Sequence, residues 1–280
     1  MKRFEVVVKQ QGMLLSVLEK EFPLLPAAAI RKALKNKDIR VNGAKAAGNQ
    51  SVQPGDHLLL YTEAQQQEIP IVFENDDCLV INKPAGINTD SGGASSFSLI
   101  SWARGICEDA CSPALVHRLD NQTSGLLVIA KTRQAEEALG LAFRNRQVDR
   151  EYTCQVLGSP KPPVATMTAW LRKDSPAGRV WVSGHQTAGA KEIITEYAVL
   201  EAGQVSRLLV RLHTGRTHQV RAHLAFLGHP LLGDELYGSR EANRAHKARS
   251  LRLCATGLGF QANCPLPSLR GKRFSIDAPF

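Results

Sequence analysis

Apolar residues recur at two different periods along this chain, and the change of period divides it. Leu14, Leu18 and Phe22 repeat at helical spacing before Pro23 and Pro26 interrupt them. A second helix is predicted from Pro26 through Lys37, with Ala27, Ile30 and Leu34 inward and Arg31, Lys32, Lys35 and Lys37 crowding the remaining face. Ile39-Arg-Val41 then reads as a strand entering a hairpin, because Asn42-Gly43 supplies the positive φ angles of a two-residue turn. Residues 63–70, Glu-Ala-Gln-Gln-Gln-Glu-Ile-Pro, are polar, lack an apolar period and read as a linker. The expected organisation is a helix-helix-hairpin unit over 1–62, the linker 63–70 and a larger domain over 71–280.

Beyond the linker the apolar runs are short. Cys78–Ile81, Leu126–Ile129, Tyr152–Val156 and Leu208–Leu212 suggest strands, while 134–146 and 217–227 carry helical spacing, so the class is mixed α and β. In the last of these, Thr217 is placed to cap a helix, Val220, Leu224 and Leu227 form its apolar stripe, and Gly228 with Pro230 ends it. Arg221 then falls in the second turn, where a guanidinium beside a helix N-terminus suits a carboxylate or a phosphate.

Charge narrows the range of partners. The 280 residues are 43% hydrophobic, enough for a full core, and carry 35 Lys or Arg against 26 Asp or Glu, a net +9. Residues 1–62 hold ten of those bases and five of those acids, over half the net charge in under a quarter of the chain. A polyanion such as nucleic acid is the partner that this favours. No apolar stretch approaches a membrane span, and Met1-Lys-Arg-Phe-Glu-Val lacks the apolar middle of a signal peptide, so no membrane partner and a cytoplasmic location are expected.

Metal chemistry is not indicated. The six cysteines are scattered, and Cys107 with Cys111 has no second close pair to complete a tetrahedron. His213, His218 and His223 recur every five residues and would diverge on a helix rather than converge. The loop Gly86 to Ser96, read as flexible, has neither glycine spacing that cradles nucleotide phosphates.

The most informative stretch is His117-Arg118-Leu119-Asp120, followed by Asn-Gln-Thr-Ser-Gly and the apolar run Leu126–Ala130. It sets a carboxylate beside a guanidinium at a tight polar turn, just ahead of a segment apolar enough to be buried. Such an Asp can be a nucleophile or a base, and it can equally be half of a structural ion pair. A second stretch, Thr214-Gly-Arg216-Thr-His218-Gln-Val-Arg221 through Gly228-His-Pro230 to Gly233-Asp234-Glu-Leu-Tyr237-Gly238, decides between them.

Together these stretches resemble the RluA family of pseudouridine synthases, whose patterns HRLDxxTSGLLVxAK and TGRTHQxRxHLxxLGHPxxGDxxYG are matched at nearly every fixed position. Val80-Ile-Asn-Lys83-Pro84-Ala-Gly86 is similar to the family's VxNKPAG, and Arg150-Glu-Tyr152 to its KxY. The resemblance spans about residues 70 to 262. It implies an α+β fold with a largely antiparallel central sheet, peripheral helices and a central cleft. It also implies isomerisation of uridine to pseudouridine in RNA, without cofactor or metal, by a monomer. Asp120 would be the nucleophile or the base at the ribose, Arg221 would pair with it, and Tyr152 would cover the flipped base and serve in proton removal. Leu253 would pack the other face of the base, and Arg118, Arg216 and His218 would bind substrate, Arg118 by filling the gap or holding phosphate.

Residues 1–62 resemble the small RNA-binding module shared by a ribosomal small-subunit protein and tyrosyl-tRNA synthetases, with Arg31, Lys32, Lys35 and Lys37 as its RNA contacts. Family members with this module imply large-subunit ribosomal RNA as the substrate, with tRNA as the alternative. Two other classes compete: a non-catalytic RNA-binding or ribosome-assembly factor, against which Asp120, Tyr152 and Arg221 stand, and an unrelated hydrolase or transferase on small substrates, for which no GxSxG elbow, phosphate loop or metal cluster is found.

Overall fold

The computed structural model describes residues 1–22, 24–64, 68–90, 98–107, 112–174 and 176–280. The chain divides into two compact units, residues 1–69 and the described residues from 70 to 280. Part of the expected linker, and the loop after Asp90, lie outside the described residues.

The first unit runs β1 (Lys2–Val7), β2 (Gly12–Met13), α1 (Leu14–Glu21), α2 (Ala27–Lys35), β3 (Ile39–Val41), β4 (Ala44–Lys45), β5 (Ser51–Val52) and β6 (His57–Thr62). Helix α1 lies where the Leu14, Leu18, Phe22 period places it, and Asn42 and Gly43 form the expected hairpin turn with φ of 51° and 81°. The hairpin is not alone: β6 pairs with β3 on one side and β1 on the other, giving a four-stranded sheet in the order β1-β6-β3-β4. Leu14, Leu18, Ile30, Ile39, Leu58 and Leu60 are fully buried at its core.

Two expectations for α2 are corrected. Its inner residues are Ile30 and Ala33, with Leu34 half-buried and Ala27 exposed, because the helix begins only after Pro26 and Ala27 is its first residue. Lys37 is not on the helix. It has a φ of 61° just past the cap residue Asn36, and Asp38 N–H donates to the Ala33 carbonyl, which is the left-handed closure of a helix C-terminus.

The second unit runs β7 (Ile71–Glu74), β8 (Cys78–Lys83), α3 (Leu99–Ile106), β9 (Ala114–Leu115), β10 (Ser124–Ala130), α4 (Arg133–Arg144), β11 (Val148–Leu157) and β12 (Val164–Asp174). It continues through β13 (Arg179–Ser183), β14 (Lys191–Glu201), β15 (Val205–Leu212), α5 (Gln219–Phe226), α6 (Arg240–Ala245), β16 (Leu253–Phe260) and β17 (Arg273–Ser275). These strands form one eleven-stranded sheet in the order β13-β12-β14-β15-β11-β16-β10-β8-β7, with β17 on β16 and β9 on β10. Every pairing is antiparallel except that of β10 with β16.

That parallel join depends on one residue. Gly125 has a φ of 113°, and a Cβ there would stand 2.3 Å from the Ala255 carbonyl oxygen and 2.5 Å from its nitrogen. Only glycine lets β10 close on β16. The consequence is that the loop ending at Ser124 is fixed beside Leu253, two residues from Ala255. Helix α4 covers one flank of the sheet through Ala135, Leu139 and Ala142, and α5 packs Ala222 against Ala169, Leu171, Val180 and Ile193 on the other. The fold is thus α+β with a largely antiparallel sheet.

Candidate active site

A cleft of about 610 Å³ lies over the middle of the sheet, where β11, β16 and the loop before β10 meet. This is within the roughly 300–1,000 Å³ typical of ligand sites. Asp120, Tyr152, Arg221, Leu253, Arg118, Arg216 and His218 all line it, so the seven cleft residues named from sequence are brought together. Asp120 is the single carboxylate among the described residues that line it. The basic residues of α2 belong to the other unit.

Asp120 sits in a turn tied at several points. Thr123 N–H donates to the Asp120 carbonyl at 3.1 Å. The Thr89 hydroxyl donates to the Leu119 carbonyl at 2.7 Å and accepts from Leu119 N–H at 3.3 Å. Lys83, fully buried at the end of β8, spends its ammonium on three carbonyls: Ile87 at 2.8 Å, Pro84 at 3.0 Å and Asn121 at 3.0 Å. Burial lowers its pKa to about 7, against which the nearby Asp120 works. Lys83 therefore fastens the loop after β8 to the residue following Asp120. His117, whose pKa burial pushes down to about 3 with help from Arg150, is neutral; its Nε2 accepts from Val128 N–H at 3.1 Å, and its ring stacks on Phe143 with centroids 4.5 Å apart.

Arg221 reaches the cleft from α5, but not as expected. The helix starts at Gln219, its cap residue is His218 with a φ of 54°, and no side chain caps it. Thr217 is therefore not the cap, and Arg221 is in the first turn. The reason lies one residue later: Gln219 Oε1 accepts from Arg216 N–H at 3.1 Å and from the Thr214 hydroxyl at 2.9 Å, so it organises the entry that a cap would have organised. The left-handed backbone at His218, costing about 1 kcal/mol for a residue with a Cβ, is the kind of strain found at functional sites.

The guanidinium of Arg221 divides three ways. Nε and Nη2 grip the two oxygens of Asp234 at 2.8 and 2.9 Å, and Nη1 points to Asp120 Oδ2 at 3.5 Å. Asp234 is fully buried in its side chain and also accepts at Oδ1 from the N–H groups of Leu236 and Tyr237. Burial opposes both charges, yet the Asp234 hydrogen bonds raise the Arg221 pKa above the ordinary arginine value, and the Arg221 hydrogen bond brings that of Asp234 below the carboxylate range. The face of Tyr237 lies 5.3 Å from the guanidinium carbon.

His218 completes the surround. Its Nδ1 lies 2.9 Å from the Tyr237 hydroxyl, which already accepts from Val180 N–H at 2.8 Å. The hydroxyl proton is thus free to go to Nδ1, which leaves the imidazole proton on Nε2, facing Asp120 Oδ2 at 3.9 Å. Burial lowers the His218 pKa, with Asp120 opposing, so the neutral ring is favoured at neutral pH. Tyr152 is buried, and burial raises its phenol pKa, so it enters the cleft as a neutral aromatic. Leu253 pairs with Cys154 across β11 and β16, diagonal to Tyr152, and Arg118 and Arg216 are exposed at the rim.

Sequence reasoning assigned no role to Asp234, Tyr237, Lys83 or Thr89. Asp234, Tyr237 and Lys83 stood in the quoted motifs, and an acid or a lysine inside an otherwise apolar stretch was the available signal. Among the described residues no group of His, Cys, Asp and Glu is arranged to hold a metal ion, and no helix is long and apolar enough to cross a membrane.

The RNA pseudouridylate synthase family model matches residues 77–226. An uncharacterized RNA pseudouridine synthase of Bacillus subtilis, YhcT, is 32% identical over 283 residues, covering 93% of this chain and 92% of its own. Ribosomal large subunit pseudouridine synthase D of Yersinia pestis is 34% identical over 78% of this chain and 70% of its own. Among solved structures, human RNA pseudouridylate synthase domain containing 1 superposes with a TM-score of 0.62 at 26% identity, covering 76% of this chain and 84% of that one. A matched model over more than half the chain, a near full-length relative and the shared fold agree: the protein belongs to the RNA pseudouridylate synthase family, of the RluA type, and is an isomerase acting on RNA.

Proposed function

We propose that the protein converts uridine to pseudouridine in large-subunit ribosomal RNA, with Asp120 as the reacting carboxylate. The observation that carries this is the cleft's single carboxylate among the described residues, faced by Arg221 Nη1 at 3.5 Å and His218 Nε2 at 3.9 Å and flanked by Tyr152 and Leu253. The reaction breaks the bond from ribose C1′ to uracil N1, turns the base, and forms the bond from C1′ to C5; C5 loses a proton and N1 gains one. Atoms balance without water, which is why one carboxylate serves where a glycosidase uses two. Attack on the ribose, attack on the uracil and action as a base at the ribose all use this same carboxylate.

The remaining roles follow from position. Tyr152 and Leu253 hold the flipped base between an aromatic and an aliphatic face, and Tyr152 serves in proton removal once its phenol, neutral at rest, has passed on its own proton. Extrusion costs a few kcal/mol, which stacking and cationic contacts offset. Arg118 fills the gap or holds phosphate, and Arg216 and His218 contact the substrate. Residues 1–62 act as an RNA-binding module through Arg31, Lys32, Lys35 and Lys37. Large-subunit RNA is favoured because relatives at 34% and 32% identity are named for it: synthase D of Yersinia pestis and synthase C of Rickettsia felis. We read the protein as a monomer, and an RNA substrate suits the cytoplasm.

Carbodiimide mapping of pseudouridine in cells with and without the gene tests the reading. One or a few large-subunit sites should disappear and return with purified enzyme on unmodified RNA. Loss confined to tRNA would move the substrate, and no change in any RNA would overturn the proposal.

A further inference from the structure

We propose that residues 239–252 form a second RNA-docking surface, one that binds the phosphate backbone of the substrate beside the cleft. The inference rests on the reading of this protein as an RNA-modifying enzyme. The segment carries Arg240, Arg244, Lys247, Arg249 and Arg252 against the single acid Glu241, a net +4. Residues 70–280 as a whole hold 25 Lys or Arg and 19 Asp or Glu, a net +6, so most of that unit's excess charge sits in this one segment.

Its cations lack carboxylate partners among the described residues. Arg240, Arg244, Lys247 and Arg249 are exposed, and among the described residues none of the five forms an ion pair, whereas Arg207, Arg211, Arg221 and Arg273 of the same unit all do. Clustered like charges repel one another and weaken the fold, a cost that a polyanion removes by releasing its counterions on binding.

The mount is fixed and adjoins the site. The segment leaves the site just after Tyr237 and returns to the cleft at Leu253. Asn243 accepts from Gly233 N–H at 2.8 Å and donates to the Asp234 carbonyl at 3.2 Å. Arg252 N–H donates to the Leu232 carbonyl at 2.9 Å, and the Ser250 carbonyl oxygen lies 1.8 Å from where a Cβ on Gly233 would stand. These contacts clamp the segment to the turn that carries Asp234, the partner of Arg221. The charge is therefore held in place next to the reacting centre, so RNA need not order it first.

The test is the triple variant Arg244→Gln, Lys247→Gln, Arg249→Gln in the full chain, none of which touches the cleft. On a transcript carrying the mapped uridine, affinity should fall at least tenfold near 0.1 M salt, and the log–log salt slope should become shallower by about 2, given 0.7 to 0.9 per phosphate contact. The single-turnover rate at saturating RNA should stay within twofold of wild type, and the melting temperature should not fall, because like-charge repulsion is relieved. Equal affinity and equal slope would overturn the inference, as would a rate lost at saturation with affinity unchanged. A second measurement uses the wild-type protein: total RNA should protect Lys247 from acylation by an N-hydroxysuccinimide ester, and equal labelling with and without RNA would overturn it. Absence of uridine conversion by wild type would count against the proposed function, while the Lys247 footprint reports on this surface independently.

Discussion

Arg221 commits two of its three guanidinium nitrogens, Nε and Nη2, to Asp234 at 2.8 and 2.9 Å and turns only Nη1 toward Asp120. Arg221 was expected to pair with Asp120, but its bidentate fork is spent on Asp234 and holds the arginine itself. A bidentate pair fixes both distance and plane, so Nη1 is presented to Asp120 in one orientation. Asp234 thereby holds Arg221 in place, and the arginine offers Asp120 one pre-aimed nitrogen.

Asp234→Asn should therefore lower turnover about a hundredfold while leaving RNA affinity nearly unchanged, since misplacement of a group near the reacting atoms costs that order. Because one partner of a buried pair is removed, stability should also drop, by about 3–5 kcal/mol. Arg221→Lys should do the same in kind, for lysine keeps the charge and cannot make the fork. Single-turnover rates and urea midpoints on both variants check this. Wild-type kinetics in either would remove the Asp234–Arg221 pair from catalysis.

Asp120→Asn should abolish conversion and leave binding intact, because the cleft keeps its shape and its arginines. Residual activity above about a hundredth of wild type exceeds what loss of a reacting carboxylate permits and would assign the chemistry elsewhere. Direct mass-neutral scoring of pseudouridine on the mapped RNA gives the answer.

How much of the molecule was legible in its sequence depends on where each signal resides. Helix α1 and the Asn42-Gly43 hairpin were readable because their periods and turn chemistry are local. Strands β1 and β6 were not, since Lys2–Val7 and His57–Thr62 find each other across some fifty residues and no local pattern names that partner. The cleft residues were readable as motifs, but their wiring was not. Nothing in the spacing tells whether Arg221 turns its fork to Asp120 or Asp234, and Gln219, rather than Thr217, organises the start of α5 through contacts to Thr214 and Arg216. Lys83 stood in a motif without a role, and its function as a triple clamp required the fold.

Lys83 should leave a mark on stability against pH. Its folded pKa of about 7 lies below the 10.5 of an ordinary lysine. Between those values the unfolded chain binds a proton that the folded chain does not, so this group makes stability rise with pH from about 7 to 10.5 and contributes no slope below. Cys78 acts in the opposite sense, because burial pushes its thiol up to about 12 and the folded chain holds the proton longer. The informative quantity is thus a difference. The stability of wild type minus that of Lys83→Met, from urea unfolding, should be larger at pH 9 than at pH 6.5. Parallel pH curves would mean that Lys83 keeps its proton in both states throughout this range.

The N-terminal unit should supply grip rather than chemistry. Lys32, Lys35 and Lys37 are exposed with no carboxylate partner among the described residues, whereas Arg31 is paired with Glu19 at 3.2 Å and is less available. Substituting the three lysines by Gln should weaken RNA binding and make its salt dependence shallower by about 0.7 to 0.9 for each phosphate that is no longer neutralised. Deleting residues 1–62 should go further in the same direction. The unit has its own core around Leu14, Leu18, Ile30 and Leu58, and every cleft residue lies beyond it, so the shortened enzyme should still convert uridine at saturating RNA. Affinity and single-turnover rate across a salt series separate the outcomes. Unchanged affinity and slope would mean that these lysines are merely solvated, and a rate that collapses at saturation would mean that the unit helps to build the active site.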